Sequence, residues 1–167
     1  MDYFLRPMSS ADAHAIVRWR YPEEYAFYNM DADAEDLHEF LASEKWEPDT
    51  KFAVTDDGGE LVGFFEFTTR DDVTEIGLGL RPDLTGQGQG QRFLRAGLLF
   101  SVERFKPRHL KLTVATFNKR AIKVYERVGF AVTTTFVQKT NGGEYEFVEM
   151  AADLTRLGLF LYGGKRA

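Results

Sequence analysis

Residues 84–90 read LTGQGQG, with three glycines on alternate positions. The run before this loop, residues 73–80, is β-like, and the run after it, residues 91–105, has apolar side chains at helical spacing. A strand that leads through a glycine turn into a helix presents converging backbone N–H groups and the positive end of the helix dipole to an anion. The sequence therefore predicts a site for a phosphate-bearing ligand.

Two other phosphate-binding motifs are excluded by the residues that follow this loop. A P-loop needs a lysine and a hydroxyl residue after its last glycine, where this chain has Gln91 and Arg92. A dinucleotide fingerprint that began at Gly88 would need glycine or alanine at the position of Phe93. A flexible surface turn is the remaining alternative, and three glycines directly before a long helix argue against it.

The composition is that of an acidic globular protein. The chain has 167 residues, the size of one domain, with no cysteine and a net charge of −5, which argues against general nucleic-acid binding. No secretion signal is visible, and no apolar run reaches the ~20 residues of a membrane span, so we expect a cytoplasmic protein without membrane contact. The histidines His14, His38 and His109 are isolated, so no metal site is expected.

Strand-like and helix-like segments alternate along the chain. Strands are predicted at residues 3–6, 51–55, 61–69, 73–80, 110–115, 130–139 and 145–150. Helices are predicted after Ser9 or Ser10, after Asp33, at residues 91–105, and at residues 118–128 with Asn118 as the N-cap. No repeat or linker interrupts this order, which predicts a single α/β domain.

The strand before the glycine loop has two positions without a side chain. The two-residue period of a strand places Glu75, Gly77 and Gly79 on one face and the apolar residues on the other. Glycine inside a strand often marks a close approach or a bulge. We interpret the two bare positions as room for a ligand against the strand backbone. A bulge here would change the direction in which Glu75 faces.

A second block, residues 113–130, reads TVATFNKRAIKVYERVGF. Asn118 and Tyr125 are seven residues apart, which brings both to the same face of a helix within about 20°. Taken separately, Asn118 would be a helix cap and Tyr125 a core aromatic. Together with the glycine loop, they indicate a shared ligand site.

The block 74–90 and the N-x-x-A-x-x-x-Y-x-x-x-G-F pattern that begins at Asn118 together resemble the GNAT superfamily of acetyl-CoA-dependent N-acetyltransferases. The resemblance covers roughly residues 61–150, and the order of elements extends it to the N-terminus. It implies an α/β fold with a single mixed, mostly antiparallel twisted sheet of about seven strands and about four flanking helices. One departure is Thr85, because the family commonly has arginine or glutamine at this position.

The resemblance implies acetyl-CoA as the co-substrate. The pantetheine arm would pair with main-chain groups at residues 78–80, and Asn118 would bond to it. The other contacts would come from the glycine loop, the start of the following helix and one arginine. The cofactor-binding residues expected on this basis are Leu78, Gly79, Leu80, Thr85, Gly86, Gln87, Gly88, Gln89, Gly90, Gln91, Asn118 and Arg120.

The reaction that the resemblance implies is direct transfer of an acetyl group to an amine in a ternary complex. Tyr125 would donate a proton to the departing thiolate, a role that suits a phenol with a pKa of about 10. An alkylammonium with a pKa of ~10.4 must lose a proton before it attacks, and a carboxylate can accept that proton. Glu75 is the first candidate for this base and Glu66 the second. Either could instead be a solvated or salt-bridged strand carboxylate.

The amine site is expected in the N-terminal part of the chain. Residues 21–28 are rich in aromatics and include Glu23 and Glu24, and aromatic faces with carboxylates suit an ammonium. Tyr25 and Tyr28 are the expected substrate-binding residues. The alternative for these aromatics is ordinary core packing.

The sequence thus predicts a cytoplasmic N-acetyltransferase of a small-molecule or peptide amine, without nucleic-acid, membrane or metal partners. The alternatives are a non-catalytic acyl-CoA-binding sensor, an acyltransferase that uses a longer acyl-CoA, and a nucleotide-binding enzyme. Residues 1–153 would form the acetyltransferase domain and residues 154–167 its C-terminal extension. The apolar part of that extension, residues 154–162, could pack on the domain or make a homodimer contact.

Overall fold

A seven-stranded sheet forms the centre of the molecule. The structure is a computed structural model and describes residues 1–162. Within the sheet the spatial order is β1-β2-β3-β4-β5-β7-β6, and the β4–β5 pair is parallel while all the other neighbouring pairs are antiparallel. The strands are β1 (Phe4–Pro7), β2 (Lys51–Thr55), β3 (Leu61–Arg70), β4 (Val73–Leu80), β5 (His109–Ala115), β6 (Ala131–Thr140) and β7 (Gly143–Asp153). The predicted mixed, mostly antiparallel sheet is confirmed.

Five α-helices flank this sheet in the part of the chain that the structure describes. They are α1 (Ser10–Ile16), α2 (Ala34–Leu41), α3 (Gly90–Phe105), α4 (Lys119–Val128) and α5 (Leu154–Tyr162). Short 3₁₀ turns at Glu23–Tyr28 and Met30–Ala32 connect α1 to α2. The sequence predicts the first four helices. It does not predict α5, although Asp153 caps it by accepting a hydrogen bond from the Arg156 amide at 2.9 Å.

Side-chain caps set the starts of the two N-terminal helices. Ser9 Oγ accepts a hydrogen bond from the Asp12 amide, and the Asp12 carboxylate accepts one from the Ser9 amide, which completes a capping box. Asp33 accepts hydrogen bonds from two amides in the first turn of α2. At the other end of the chain, α4 stops at Gly129, whose φ of 115° suits glycine.

The main core lies between one face of the sheet and helices α3, α4 and α5. Phe65 of β3 stacks on Phe93 of α3, with ring centroids 4.8 Å apart. Leu157 and Leu161 of α5 are buried in this same core, and Arg95 donates a hydrogen bond to the Leu161 carbonyl at 2.6 Å. In the described structure α5 therefore packs as part of the domain. The division at residue 153 remains a prediction, and residues 163–167 lie outside the described residues.

A smaller core covers the opposite face of the sheet. It contains Met8, Ile16, Phe40 and Phe64, so α1 and α2 pack on the side of the sheet that α3 does not cover. Phe40 and Phe64 meet edge to face, with ring centroids 5.5 Å apart. This layer places the N-terminal third of the chain beside the central strands.

The sheet opens between β4 and β5. These parallel strands pair only from Val73 to Glu75 with His109 to Lys111, whereas β5 stays paired with β7 as far as Ala115. From Ile76 onward, β4 therefore offers its main-chain groups on one side without a strand partner. The β3–β4 register runs from Gly63↔Leu80 to Arg70↔Val73 without a shift, so no bulge on that side changes the direction of Glu75.

The interpretation of the two bare strand positions needs a correction. A Cβ at Gly79 would overlap the ring of Phe64, and a Cβ at Gly77 would lie 3.5 Å from the Cβ of Glu66. Gly79 thus makes room for a neighbouring phenylalanine, and both Gly77 and Gly79 also line the central cavity described below. Among residues 1–162, no helix is long and apolar enough to cross a membrane.

Candidate functional site

A central cavity of about 610 Å³ occupies the cleft where β4 and β5 separate. Its walls come from the unpaired half of β4, the start of α4, the α1–α2 connection, α2 and the β6–β7 hairpin. Residues that sequence analysis assigns to a ligand lie on these walls: Tyr25, Tyr28, Glu66, Leu78, Gly79, Leu80, Thr85, Asn118, Arg120 and Tyr125. The fold therefore brings the two sequence blocks to one place.

The backbone of the glycine loop has the conformation that an anion site needs. Gly86 and Gly88 have φ values of 70° and 76°, in the left-handed region that favours glycine. A Cβ at Gly88 would meet no atom within 4 Å, so the loop is open on that side. The 16-residue helix α3 follows, and its N-cap Gln89 makes no side-chain capping hydrogen bond. The first amides of α3 are therefore not taken by a cap.

Side chains of the loop bond to the protein itself. Thr85 donates to the Pro82 carbonyl at 2.8 Å, and Gln87 donates to the Asp83 carbonyl at 2.6 Å. Gln89 accepts a hydrogen bond from the Tyr3 hydroxyl at 3.2 Å. The loop is therefore left with its backbone groups to offer to a ligand. The Thr85 hydroxyl uses its hydrogen on the Pro82 carbonyl and cannot also donate it to a phosphate, as an arginine at this position could.

Arg120 brings positive charge from α4 to the glycine loop. Its guanidinium lies 4.3 Å from the ring centroid of Tyr25, and Nη1 lies 3.1 Å from the position that a Cβ at Gly86 would take. Arg120 therefore reaches the loop while it stacks on the aromatic segment, the name used below for residues 21–28.

Asn118 and Tyr125 both reach the central cavity from α4. Asn118 Oδ1 caps the helix by accepting from the Ala121 amide, and Nδ2 donates to the Tyr28 hydroxyl at 3.2 Å. Tyr125 is half-buried and lines the cavity. Burial raises the pKa of Tyr125 well above its usual value, so the phenol stays protonated at neutral pH. A protonated phenol on the wall of a cavity is available to a ligand.

The aromatic segment crosses the cleft and contacts both of its sides. Tyr21 donates a hydrogen bond to the Leu80 carbonyl at 2.8 Å, at the end of β4. Phe27 packs edge to face on Phe117, just before α4, and its carbonyl accepts from Asn141 Nδ2 at 2.8 Å. Three groups that sequence analysis assigns to the cofactor, at Leu80, Asn118 and Arg120, are thus in contact with tyrosines of this segment.

The far side of the central cavity is acidic. We call Asp36 and Glu39 of α2 and Glu66 of β3 the acidic wall, since all three line the cavity. Burial raises the pKa of Asp36, and the carboxylates of Asp33 and Glu39 raise it further. Sequence analysis missed Asp36 and Glu39 as site residues. Their spacing of three on a capped helix was the available signal, because it places both on one face.

The two candidate bases differ in position. Glu66 lies on the cavity wall, where Oε1 is 3.1 Å from Lys51 Nζ. Glu75 lies on the paired half of β4, outside the lining of the cavity, with Oε2 3.8 Å from Lys111 Nζ. Of the two carboxylates, Glu66 is therefore the one that the structure brings to the site. Glu23, Glu24 and Trp46 also lie outside the lining.

The family model described as "Acetyltransferase (GNAT) domain" matches residues 3–131. The chain belongs to the GNAT acetyltransferase family. That match covers β1 to the start of β6, and it includes every residue of the glycine loop and of α4. The family assignment therefore agrees with the resemblance carried by the two sequence blocks.

The GNAT chain is also similar to curated proteins. It is 35% identical over 109 residues to a mycothiol acetyltransferase of Propionibacterium freudenreichii, covering 62% of this chain and 35% of that protein. It is 33% identical over 96 residues to a mycothiol acetyltransferase of Streptomyces avermitilis, covering 56% of this chain and 31% of that protein. The chain spans about a third of the length of these curated relatives.

Solved structures share the GNAT fold. A spermidine N-acetyltransferase of Vibrio cholerae, solved in complex with CoA and spermine, superposes with a TM-score of 0.74 at 19% identity, covering 93% of this chain and 98% of that one. A GNAT-family acetyltransferase of Bacillus anthracis gives a TM-score of 0.70 at 18% identity, covering 92% and 95%. At these identities the likeness establishes the fold alone.

Within the described range 1–162, no group of three or more histidine, aspartate or glutamate side chains is arranged to hold a metal ion. His38 and His109 are exposed and lie far apart in the fold, on α2 and β5.

Proposed function

We propose that this GNAT domain is an N-acetyltransferase that moves the acetyl group of acetyl-CoA directly to a primary amine in a ternary complex. The observation that carries the proposal is the central cavity, which is lined at one end by Thr85 and by Arg120, whose guanidinium reaches the glycine loop at Gly86, and at the other by a carboxylate wall. Residues 86–91 themselves lie outside this lining. The protonated hydroxyl of Tyr125 lies on the same cavity. One end of the cavity is suited to the phosphates of a ligand, and the other end is suited to an ammonium group.

The residues present fit acetyl-CoA as co-substrate. The open loop at Gly88 and the uncapped start of α3 suit the pyrophosphate, with Arg120 beside them. Pantetheine carries two amides, and the unpaired half of β4 from Leu78 to Leu80 offers main-chain donors and acceptors at the cavity. Bound there, acetyl-CoA supplies the activated acetyl thioester. Gln91 and Gly90 belong to the predicted contacts at the helix start.

Two side chains would move the protons. Glu66 accepts a proton from the ammonium of the acceptor, either directly or through a water, so that the amine nitrogen can form the new C–N bond. The C–S bond of the thioester breaks, and Tyr125 Oη gives its proton to the leaving sulfur. The nitrogen of the new amide then releases its remaining extra proton, which restores the Tyr125 phenol directly or through water. Glu75 remains the alternative base, because its strand face is the one that Glu66 shares.

The remaining predictions extend this proposal. Residues 1–153 would be the transferase domain and residues 154–167 its extension, with the protein in the cytoplasm and a homodimer as one arrangement. The acceptor would be a small-molecule or peptide amine, with Tyr25 and Tyr28 at the cavity as its aromatic contacts. The relatives are named for mycothiol and for spermidine, and the shared fold carries neither substrate over to this chain.

The first experiment measures the melting temperature with acetyl-CoA, ATP and NAD in parallel. A ligand at a hundred times its Kd stabilises by about 2.7 kcal/mol, which is about 5–10 °C for a domain of this size. We expect this shift with acetyl-CoA alone, followed by amine-dependent release of CoA. Stabilisation by ATP or NAD without acetyl-CoA would contradict the proposal.

The variant Tyr125→Phe serves as the control for chemistry. We expect kcat to fall by about 100-fold, the usual contribution of a positioned acid, while the Kd of acetyl-CoA stays unchanged. Binding of acetyl-CoA without turnover of any amine would instead indicate a sensor module. Faster transfer from longer acyl donors would indicate a different acyltransferase.

A further inference from the structure

Building on the proposed function, we infer that Lys51 is a positioning residue for the base of the reaction. Its ammonium holds the Glu66 carboxylate on the cavity wall, in the orientation that accepts the proton of the acceptor amine. Lys51 moves no proton itself, and both side chains line the central cavity. Three features of the structure support this role: the backbone beneath the pair, the groups around the ammonium, and the charges nearby.

The backbone places Lys51 and Glu66 side by side. The two residues are directly opposite each other in the antiparallel β2–β3 ladder, so their side chains project from the same face of the sheet. On one edge of β2, the Lys51 carbonyl accepts a hydrogen bond from the Met8 amide at 3.0 Å. On the other edge, the Thr50 carbonyl accepts one from the Phe67 amide at 2.8 Å. The lysine side chain therefore starts from a backbone that is held on both sides.

Three side chains surround the Lys51 ammonium. Nζ lies 3.1 Å from Glu66 Oε1, 5.5 Å from the ring centroid of Phe40 and 5.8 Å from that of Trp46. Aromatic faces attract a cation, and the attraction increases when water is excluded. The Lys51 side chain is only 18% exposed. The two rings and the carboxylate therefore restrict the ammonium to one place beside Glu66.

Lys51 also supplies positive charge where the cavity is rich in carboxylates. Among residues 1–162 the acidic wall makes a single ion pair, the one between Glu66 and Lys51. Burial raises the pKa of Asp36, and the charge of Glu66 is one of several that add to this, so the two carboxylates repel each other. Without Lys51, this repulsion and the rotational freedom of the side chain would move Glu66 from its position.

The other candidate base has a lysine partner of a different kind. Glu75 and Lys111 are also opposite each other, on β4 and β5, with Oε2 3.8 Å from Nζ. That ammonium is shared with Glu149 at 4.0 Å, is 36% exposed at its side chain, and lies outside the cavity lining. Exposed ion pairs of this kind hold their partners weakly. Lys111 is therefore a matched control for Lys51.

A fixed carboxylate matters because proton transfer depends on distance and direction. A general base must lie within hydrogen-bonding reach of the proton that it accepts. A base that is already oriented loses little conformational freedom when the amine arrives, and a small displacement of a reacting group lowers the rate by a large factor. The contribution of Lys51 should therefore be seen in kcat.

The test uses the variants Lys51→Met and Lys51→Arg. Amine-dependent release of CoA is measured with the fastest acceptor among 1-butylamine, 2-phenylethylamine and a short peptide. Methionine keeps an unbranched side chain without the charge, so kcat should fall by about tenfold. The KM of the amine should not rise, because a positive charge leaves a cavity that takes an ammonium. Lys51→Arg keeps a cation beside the carboxylate and the rings, so its kcat should stay within about threefold of wild type.

A double variant shows whether Lys51 acts through Glu66. Lys51→Met should cause no further loss of kcat in the Glu66→Gln background, because no charged carboxylate is then left to orient. Lys111→Met, the matched control, should keep the kcat and KM of the wild type. The melting temperature of each variant checks that the fold is retained.

The outcomes separate this role of Lys51 from the proposed function. An unchanged kcat in Lys51→Met, equal losses in Lys51→Met and Lys51→Arg, or an equal loss in Lys111→Met would overturn the role while acetyl transfer stands. A rise in the KM of the amine, or losses that multiply in the double variant, would also overturn it. Failure of every amine in the presence of bound acetyl-CoA would overturn the proposed function itself. A loss that is confined to kcat, restored by arginine and absent in the Glu66→Gln background supports the role.

Discussion

The two ends of the central cavity are built in different ways. The cofactor end uses short continuous stretches of chain, residues 78–91 and 118–125, each of which forms a strand end, a loop or a helix start. The acceptor end joins α2, β3 and the β6–β7 hairpin, with Asp33 bonded to Asn141 across 108 positions. A ligand site formed by the backbone of one continuous segment can be recognised in the sequence as a motif. A site formed by side chains from distant segments has no such motif.

The two ends also differ in the groups that they offer. The cofactor end presents glycine backbone, a helix start and Arg120, and its loop side chains bond internally. The acceptor end presents the carboxylates of Asp36, Glu39 and Glu66. Opposite charge at the two ends suits a reaction between a polyanionic donor and a cationic acceptor.

The sharpest way to break the cofactor end alone is Gly88→Val. The side chain would enter the open space where we place the pyrophosphate, so acetyl-CoA binding should be abolished. The matched control is Gly59→Val in the β2–β3 turn, where φ is 82° and a Cβ also meets no atom within 4 Å. Both variants carry the same backbone strain, and only Gly88→Val should lose the acetyl-CoA-induced thermal shift. Loss of the thermal shift in both variants would contradict the assignment of the glycine loop as the pyrophosphate site.

The next effect concerns the base at the acceptor end. Glu66→Gln should lower kcat by about 100-fold with the acetyl-CoA Kd unchanged, because the amine must then lose its proton to solvent. The deficit should be greatest at low pH, where less free amine is present. Glu75→Gln is the paired variant and should have a small effect. A large loss in Glu75→Gln with little in Glu66→Gln would reverse the two assignments.

A smaller loss is expected from Asp33→Ala, which removes the N-cap of α2 at the acceptor end of the cavity, where Asp33 is itself a lining residue. Removing the cap of α2 and its bond to Asn141 should raise the KM of the amine by about tenfold, equivalent to one lost preorganising interaction, and leave acetyl-CoA affinity unchanged. Steady-state kinetics in which each substrate is varied in turn separate the KM of the amine from that of acetyl-CoA. Asp31→Ala, at an exposed ion pair on the same connection, is the control.

The stability of this variant should also depend on pH in a defined direction. Amides of Asp36 and then Asn141 hold the pKa of Asp33 below its usual value. A carboxyl group with a lowered folded-state pKa stabilises the protein above its unfolded value of about 3.9, and this contribution is lost as the pH falls. The difference in melting temperature between wild type and Asp33→Ala should therefore narrow below about pH 4.

The smallest predicted effect lies where the two ends meet. Tyr21 holds the Leu80 carbonyl, one of the main-chain groups expected to pair with pantetheine. Tyr21→Phe should therefore tighten acetyl-CoA binding by about fivefold, since a neutral hydrogen bond contributes about 1 kcal/mol. Calorimetry would measure this, with the exposed Tyr162→Phe as control. Weaker binding would mean that Tyr21 supports the site in its present position.

Sequence reasoning was most accurate where structure depends on near neighbours. Asp33, Asn118 and Gly129 act as the predicted helix signals, because capping involves amides within three residues. It failed for α5, whose start at Asp153 was not recognised, and it was incomplete for Gly79, whose bare position is occupied by the ring of Phe64 on the neighbouring strand β3. The start of α5 was missed because Asp153 was not recognised as a cap. The neighbour of Gly79 depends on the register between β3 and β4, which the sequence does not show.

The sequence by itself determined the order of elements, the GNAT family and the glycine loop with its helix, because these follow from spacing along the chain. Tertiary structure alone decided that Glu66 rather than Glu75 lines the cavity, since β4 separates from β5 only beyond Glu75. It also brought Asp36 and Glu39 to the cavity that Tyr125 lines, through a helix that is fixed by a hairpin more than a hundred residues away. Helix caps are local hydrogen bonds, whereas a cavity wall is a product of packing between distant segments.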